Sequence, residues 1–275
     1  MEDKKALISH LVDLVNRAGE TILEIYHSDF EVVEKADESP LTQADLAAHR
    51  LIVAGLARLT PDIPVVSEES VQPPFEERSL WPRYWLVDPL DGTKEFVNKN
   101  GEFTVNIALI DNAQPVLGVV GVPVQGLVYS GDVAAGECLK HSSDAIEKLA
   151  GRKMTDGQSV TVVASRSHGG ERLETYLDDV AAGFGTVTRI PVGSSLKLCI
   201  LAEGRADLYP RLGPTSEWDI AAAHAVLHAA GGGVWNINGE PLAYNKENVL
   251  NPEFIAVADR RFPWRDKLPG VPPIE

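Results

Sequence analysis

Tyr84-Trp85-Leu86-Val87-Asp88-Pro89-Leu90-Asp91-Gly92-Thr93 decides how the rest of this chain is read. Tyr84 to Val87 is a short run of aromatic and branched apolar residues, the pattern of a buried strand. It ends in two carboxylates three residues apart, then Gly-Thr, which is poor material for a core. Asp favours turns and helix N-caps, and either role accounts for one such acid. Two carboxylates this close also repel each other unless a cation lies between them. Mg²⁺ takes oxygen ligands of this kind and leaves positions for substrate phosphate. Asp91-Gly92-Thr93 is read as a strand-to-helix junction, where backbone N–H groups and the helix dipole favour an anion.

Upstream, Leu7, Leu11, Leu14, Val15, Ala18, Ile22 and Ile25 recur at helical spacing and predict an amphipathic helix over about 4–27. A second helix is expected from Thr42 to about Leu59, and Val65-Val66 reads as a short buried strand leading into Glu68-Glu69. Residues 71–83, rich in proline and charge, read as a surface loop. Downstream, Phe103, Val105, Ile107 and Leu109 alternate with Thr104, Asn106 and Ala108, the period of a half-buried strand. Val116–Val122 and Leu127–Tyr129 extend it into an antiparallel meander, and 141–158 reads as a loop-rich connection.

Beyond that point strands and helices alternate. The expected strands are Val160–Ala164, Thr186–Arg189 and two near Val234 and Phe254. The expected helices cover about 170–182, Ser194 to about Glu203, and Trp218–Ala230, the last stopped by Gly231-Gly232-Gly233. About 1–155 is therefore an α+β half with the meander, and about 156–275 an α/β half. No repeat or Gly/Ser-rich linker divides them, so 1–275 is taken as one unit.

Composition narrows the function classes. With 40 acidic and 25 basic residues the formal charge is −15, which argues against a nucleic-acid polymer as partner. A phosphorylated small molecule is compatible where metal ions invert the local field. Cys138 and Cys199 show no zinc spacing and fit a reducing compartment. No signal peptide is visible, and the longest aliphatic stretch falls far short of the ~20 residues of a transmembrane segment. The chain is read as cytoplasmic, with peripheral association at an inner membrane compatible. Oligomeric state is not legible.

Other acids have two readings each. Glu68-Glu69 is either a solvated loop or a ligand pair at a strand's carboxyl end, where ligands gather in open sheets. Asp45, three residues after Thr42, completes a capping box or serves catalysis, and the two are compatible. Asp219 complements a helix dipole or binds a cation. His224 and His228 are four apart but lack the Glu of H-E-x-x-H, so a surface or packing role is expected.

Taken in order, Asp45, Glu68-Glu69, Asp88-Pro89-Leu90-Asp91-Gly92-Thr93, Trp218-Asp219 and, after eleven residues, Gly231-Gly232 resemble the inositol monophosphatase superfamily of Mg²⁺-dependent, lithium-sensitive phosphatases. Within it, the likeness is to the CysQ-type 3′(2′),5′-bisphosphate nucleotidases of sulfur assimilation. The stretches that carry it are Gly92–Phe96, Gly101–Asn106, Ser165–His168, Gly193–Lys197 and Tyr209–Pro214.

The resemblance implies a layered αβαβα sandwich. It implies that Glu68, Asp88, the Leu90 carbonyl, Asp91 and Asp219 hold two or three Mg²⁺ ions, with Asp88 as the bridging ligand. Thr93 and Asp45 would activate the attacking water, and Gly92 and Thr93 would offer N–H groups to the phosphate. Ser194, Ser195, Lys197, His168 and Arg211 would surround the nucleotide, with Glu68, Leu90, Asp91 and Asp219 also reaching substrate.

The implied reaction is hydrolysis of the 3′-phosphate of adenosine 3′,5′-bisphosphate, with 3′-phosphoadenylyl sulfate a second candidate. No Cys-x₅-Arg loop suggests a covalent phosphoenzyme. Inositol monophosphatase or fructose-1,6-bisphosphatase activity uses the same chemistry and is the alternative. A catalytically silent nucleotide- or metal-sensing protein is a second alternative, which the intact Thr93 and Asp45 oppose.

Overall fold

The computed structural model describes residues 2–28, 32–34, 40–164 and 170–270. The chain opens with helices α1 (Glu2–Tyr26) and α2 (Gln43–Leu59), between which β1 (Val32–Glu34) pairs with β2 (Pro40–Thr42). Seven strands then pair in chain order: β3 (Val65–Ser67), β4 (Arg83–Asp91), β5 (Thr104–Asp111), β6 (Gln114–Val122), β7 (Leu127–Asp132), β8 (Glu137–His141) and β9 (Ile146–Lys148). Short helices α3 (Phe75–Arg78) and α4 (Thr93–Val97) flank β4. Only the β3–β4 pair is parallel in this sheet; the rest is an antiparallel meander.

The second sheet draws on β10 (Val160–Ala164), β11 (Val187–Pro191), β12 (Leu208–Arg211), β13 (Gly233–Asn236) and β14 (Phe254–Val257), in the order β11-β10-β12-β14-β13. Its helices are α5 (Gly170–Phe184), α6 (Leu196–Ala202), α7 (Glu217–Ala229) and α8 (Trp264–Lys267).

Three packed cores set the layers. Leu11 and Ile22 of α1 and Ile52 and Leu56 of α2 bury against Trp85, Val87, Ile107 and Val119 on one face of the large sheet. On its other face Leu86, Ala108 and Val120 meet Leu198 and Leu201 of α6 and Ala222 and Val226 of α7. The same two helices pack Tyr209, Phe254 and Ala256 of the small sheet. Tyr176 and Leu177 of α5 and Trp264 of α8 cover that sheet's outer face. The result is the expected αβαβα sandwich.

Sandwiching explains where the reading of β5 goes wrong. Thr104 and Asn106, placed by alternation on a wet face, are fully buried, because α7 covers the side that α1 and α2 do not. The approach of α7 is close because its facing residues are small. A Cβ on Gly118 would run into the Ala222 carbonyl, and one on Gly131 would lie 2.6 Å from Val226 Cα. An alanine at either glycine would push α7, and Asp219 with it, away from β4.

Two predicted loops contain structure. Within 71–83, α3 carries Arg78, whose guanidinium is buried and donates to Asn245 Oδ1, Lys246 O and Glu247 O at 2.9, 2.5 and 2.9 Å. Within 141–158, β9 adds an edge strand to the meander. The helix expected from Ser194 begins at Leu196, because Ser194 has φ +44° in the left-handed region and cannot enter a helix.

His224 and His228 pack, as expected. His224 is buried and shares a 2.9 Å hydrogen bond between Nδ1 and the Tyr244 hydroxyl, and the two imidazoles stack with centres 6.2 Å apart. Burial, with His228 adding to it, pushes the His224 pKa down to about 3. The unfolded chain takes up this proton near pH 6.5 and the folded chain does not, so folding loses stability as pH falls below ~6.5. Between pH 6.5 and 5 the wild type is expected to lose about 2 kcal/mol more than His224→Gln, read by urea unfolding. Equal losses would show that His224 is not the group responsible.

Candidate active site

The motif strand is longer than its apolar run. β4 continues through Asp91, with a register irregularity against β5 between Asp88 and Asp91, where Pro89 has no N–H to donate. Asp88 turns its Oδ1 onto the Leu90 N–H at 3.0 Å. Gly92 then takes φ +89°, and α4 runs for only five residues. The junction exists, but so short a helix adds little dipole, and the anion-binding argument rests on the N–H groups themselves.

Asp45 caps α2 and also faces Thr93. Its Oδ2 accepts the Thr42 N–H at 2.8 Å and the Thr42 hydroxyl at 2.6 Å, closing the capping box of α2. Its Oδ1 faces Thr93, whose hydroxyl lies 3.4 Å away and 3.3 Å from the Leu90 carbonyl. The cap fixes the carboxylate, and the fixed carboxylate meets Thr93. Both contacts are long for a hydroxyl hydrogen bond.

The acids act on one another. Asp88 is fully buried, and its carboxyl is raised well above the usual range, first by burial and then by Glu68, Asp91 and Asp219. It also shares a hydrogen bond with Glu68. Asp219 is raised by burial and by Asp91, while its Oδ2 accepts the Ser216 N–H at 2.8 Å in the capping box of α7. Asp91 is raised to about 6, mainly by burial, with Lys197 and the Ser195 N–H opposing.

Strands β3 and β4 and the start of α7 therefore bring Glu68, Asp88, Asp91 and Asp219 into one field, beside the Leu90 carbonyl. This donor set is all oxygen and mutually repelling, which suits a hard divalent cation. Among the described residues no three His, Cys, Asp or Glu side chains stand close enough to enclose one ion. Mg²⁺ does not require that, since one or two carboxylates with waters and substrate phosphate complete its octahedron.

Asp91 links this cluster to a second one. Its Oδ2 accepts the Ser195 N–H at 2.5 Å and the Thr104 hydroxyl at 3.3 Å. Ser195 Oγ contacts Thr104 Oγ1 at 2.9 Å and donates to Asn106 Oδ1 at 2.8 Å. The Ser195 side chain is thus occupied inside the protein and positions the loop, where a substrate contact was expected. Glu102 accepts the Gly193 N–H at 2.8 Å and straps the same loop from the other side.

Thr104, Asn106 and Glu102 carry this geometry, and sequence reasoning passed over them. The one available signal was two polar residues at alternate positions of a strand that α7 covers.

A cavity of about 350 Å³ opens over the junction, lined by Asp91, Thr93, Asp219, Ser194, Lys197 and Arg211. Lys197 is buried, donates from Nζ to the Ser194 carbonyl at 2.8 Å, and stands 5.6 Å from the Tyr209 ring centre. Burial pulls its pKa down to about 8, with Asp91 opposing. Arg211 donates to the Gly213 and Pro214 carbonyls at 3.2 and 2.7 Å. The Ser194 hydroxyl is buried without a hydrogen-bond partner. A buried orphan donor on a strained residue lining a cavity is a place for a ligand atom. His168, with Ser165–Ser167, lies outside the described residues.

An acid cluster meeting a cation-lined cavity between the sheets of an αβαβα sandwich defines a class of phosphate-handling protein. The profile of the inositol monophosphatase family matches residues 3–261, and the chain belongs to that family, whose members are metal-dependent phosphatases, typically with Mg²⁺.

The chain is 48% identical over 251 residues to the 3′(2′),5′-bisphosphate nucleotidase CysQ of Escherichia coli (strain K12), covering 90% of this chain and 98% of the relative. It is 36% identical over 264 residues to the CysQ of Aggregatibacter actinomycetemcomitans, covering 95% and 96%. The crystal structure of CysQ from Bacteroides thetaiotaomicron superposes with a TM-score of 0.82 at 44% identity, over 93% of this chain and 98% of that one. No helix among the described residues is long and apolar enough to cross a membrane.

Proposed function

We propose that this chain is a Mg²⁺-dependent 3′(2′),5′-bisphosphate nucleotidase that hydrolyses the 3′-phosphate of adenosine 3′,5′-bisphosphate, giving AMP and phosphate. The observation that carries the reading is a single cavity with two chemistries, lined both by the carboxylates of Asp91 and Asp219 and by Lys197, Arg211 and the orphaned Ser194 hydroxyl. A substrate with two phosphates suits such a lining, one phosphate on the cations that the acids would hold and the other on Lys197 and Arg211. The nucleotidase names of relatives at 36–48% identity support the same substrate class.

In this reading Glu68, Asp88, the Leu90 carbonyl, Asp91 and Asp219 hold two or three Mg²⁺ ions. Bound there, the ions neutralise the phosphate, lower the pKa of the attacking water and stabilise the leaving alkoxide. The protein's own share is positional. The Thr93 hydroxyl donates to Asp45 Oδ1, which turns a Thr93 lone pair outward to accept a proton from water. Asp45 cannot swing away, because Thr42 holds its other oxygen. The Gly92 and Thr93 N–H groups face the phosphate. Lys197 and Arg211 bind the second phosphate, and residues 1–275 work as one catalytic unit.

Phosphate release with Mg²⁺ from adenosine 3′,5′-bisphosphate, inositol 1-phosphate and fructose 1,6-bisphosphate, side by side, tests the substrate. Preference for the adenosine bisphosphate is expected, and preference for inositol 1-phosphate would sink the nucleotidase reading while sparing the phosphatase. Lys197→Met keeps the buried stem and removes the charge. It is expected to lower kcat/KM for the adenosine bisphosphate roughly 10- to 100-fold, the worth of a charged hydrogen bond. Inositol 1-phosphate, with no second phosphate, should be nearly unaffected. Parallel losses on both substrates would show that Lys197 supports the loop and does not read the nucleotide.

A further inference from the structure

The far end of α7 opens on a different cavity. It measures about 470 Å³, within the size range of small-molecule sites. Arg260, Arg261, Arg265, His228 and Trp235 wall it, and Asp266 is the one carboxylate among its lining residues. In a chain of formal charge −15, three guanidinium groups on one concave surface repel each other. Their gathering needs a cause.

The site is built and held. Arg260 donates from Nη1 to the His228 and Gly232 carbonyls at 3.0 and 3.5 Å. The Arg265 guanidinium lies 5.3 Å from the Trp235 ring centre, a cation–π contact that fixes its direction. The Arg261 N–H donates to Asp259 Oδ1 at 3.2 Å, while Asp259 itself pairs with Lys153. Among the described residues no carboxylate lies within ion-pair distance of Arg260, Arg261 or Arg265.

The negative end of the α7 dipole would oppose an anion here, but the Arg260 guanidinium sits on it, donating to the His228 carbonyl in the last turn. Burial, with Arg260 adding to it, lowers the His228 pKa, and its imidazole carries an N–H in either protonation state.

We propose that this cavity is a second anion site, which takes a small molecule bearing a phosphate or sulfate group. Guanidinium forks match the paired oxygens of such groups, and Trp235 supplies an aromatic wall for an attached organic part. α7 ends at Ala229, ten residues beyond Asp219, which separates this end from Asp219 by ~15 Å. Both sites can therefore be filled at once, and this one does not depend on the activity proposed above.

EDTA removes the cations that would hold phosphate at the first site, and reading the signal at His228 and Trp235 separates the second site from phosphate held by Lys197 and Arg211. Inorganic phosphate and phenyl phosphate are titrated separately, with the His228 imidazole and Trp235 indole resonances followed by NMR. Saturable shifts at both residues are expected, weakened about tenfold or more in Arg261→Ala/Arg265→Ala. Mg²⁺-supported turnover at saturating substrate should be unchanged in that variant. Tighter binding of phenyl phosphate identifies an ester as the ligand class, and equal binding identifies the free anion. Arg261→Glu, a single exposed substitution, is the second variant should the double one fold poorly, and it should abolish the shifts. Absence of saturable shifts at His228 and Trp235, or equal affinity in wild type and variants, overturns the proposal.

Discussion

Asp88→Asn is expected to lower phosphate release by roughly three orders of magnitude, equivalent to about 4 kcal/mol of barrier, while leaving the protein folded. Asp88 is fully buried, and it feels Glu68, Asp91 and Asp219 at once. A neutral amide removes the charge that two cations would share, yet keeps the volume of the side chain and an oxygen for the Leu90 N–H.

Stability should move the opposite way in the absence of metal. Burial and the neighbouring acids make the Asp88 carboxyl costly to ionise, and a neutral amide removes that cost, so EDTA-treated Asp88→Asn should melt no lower than EDTA-treated wild type. Mg²⁺ binds the folded state alone and should raise the wild-type melting temperature by mass action, and much less that of Asp88→Asn. Near-normal turnover at saturating Mg²⁺, or equal Mg²⁺-induced shifts in both proteins, would remove Asp88 from the centre of the metal site.

Thr93→Ala and Asp45→Asn are each expected to lower kcat by roughly 10²- to 10⁴-fold, the usual worth of a positioned proton acceptor. KM should change little, because the interaction matters mainly in the transition state. The two residues act through one contact, Thr93 Oγ1 to Asp45 Oδ1, so the double variant should lose little more than the worse single. Asp45 also caps α2, and the cap is worth about 1 kcal/mol. Thr42→Ala serves as the control. It weakens the cap and should lower the melting temperature while costing far less kcat than Asp45→Asn. If Asp45→Asn lowers the melting temperature and leaves kcat intact, capping is its whole role. Additive losses in the double variant would show that Thr93 and Asp45 work separately.

Local patterns carried most of the architecture. The helical spacing from Leu7 to Ile25 appears as α1, and the capping signal at Thr42 and Asp45 as the start of α2. The meander followed by alternating strands and helices appears as two sheets. These features were legible because each depends on neighbours within a few positions. The acid motifs were legible for a different reason: oxygen ligands ending strands and starting helices have few structural uses, so their residue types restrict the chemistry.

What lay hidden depends on distant segments. Arg78 reads as a loop charge until residues 245–247 come to meet its guanidinium. Ser195 reads as a phosphate donor until Thr104 and Asn106, some ninety positions earlier, take its hydroxyl. Thr104 and Asn106 in turn read as solvent-facing until α7 covers them.

By itself, the sequence determined an α+β half followed by an α/β half and the kind of cation and phosphate chemistry that the β4 motif suits, and through its family resemblance it implied the layered sandwich and the other acids of the cluster. Tertiary structure alone decided which polar groups are spent holding others in place and which face the cavity. The physical reason is burial. A polar side chain taken from water must find a partner, and which partner is within reach is set by the packing of sheets and helices far apart in the chain.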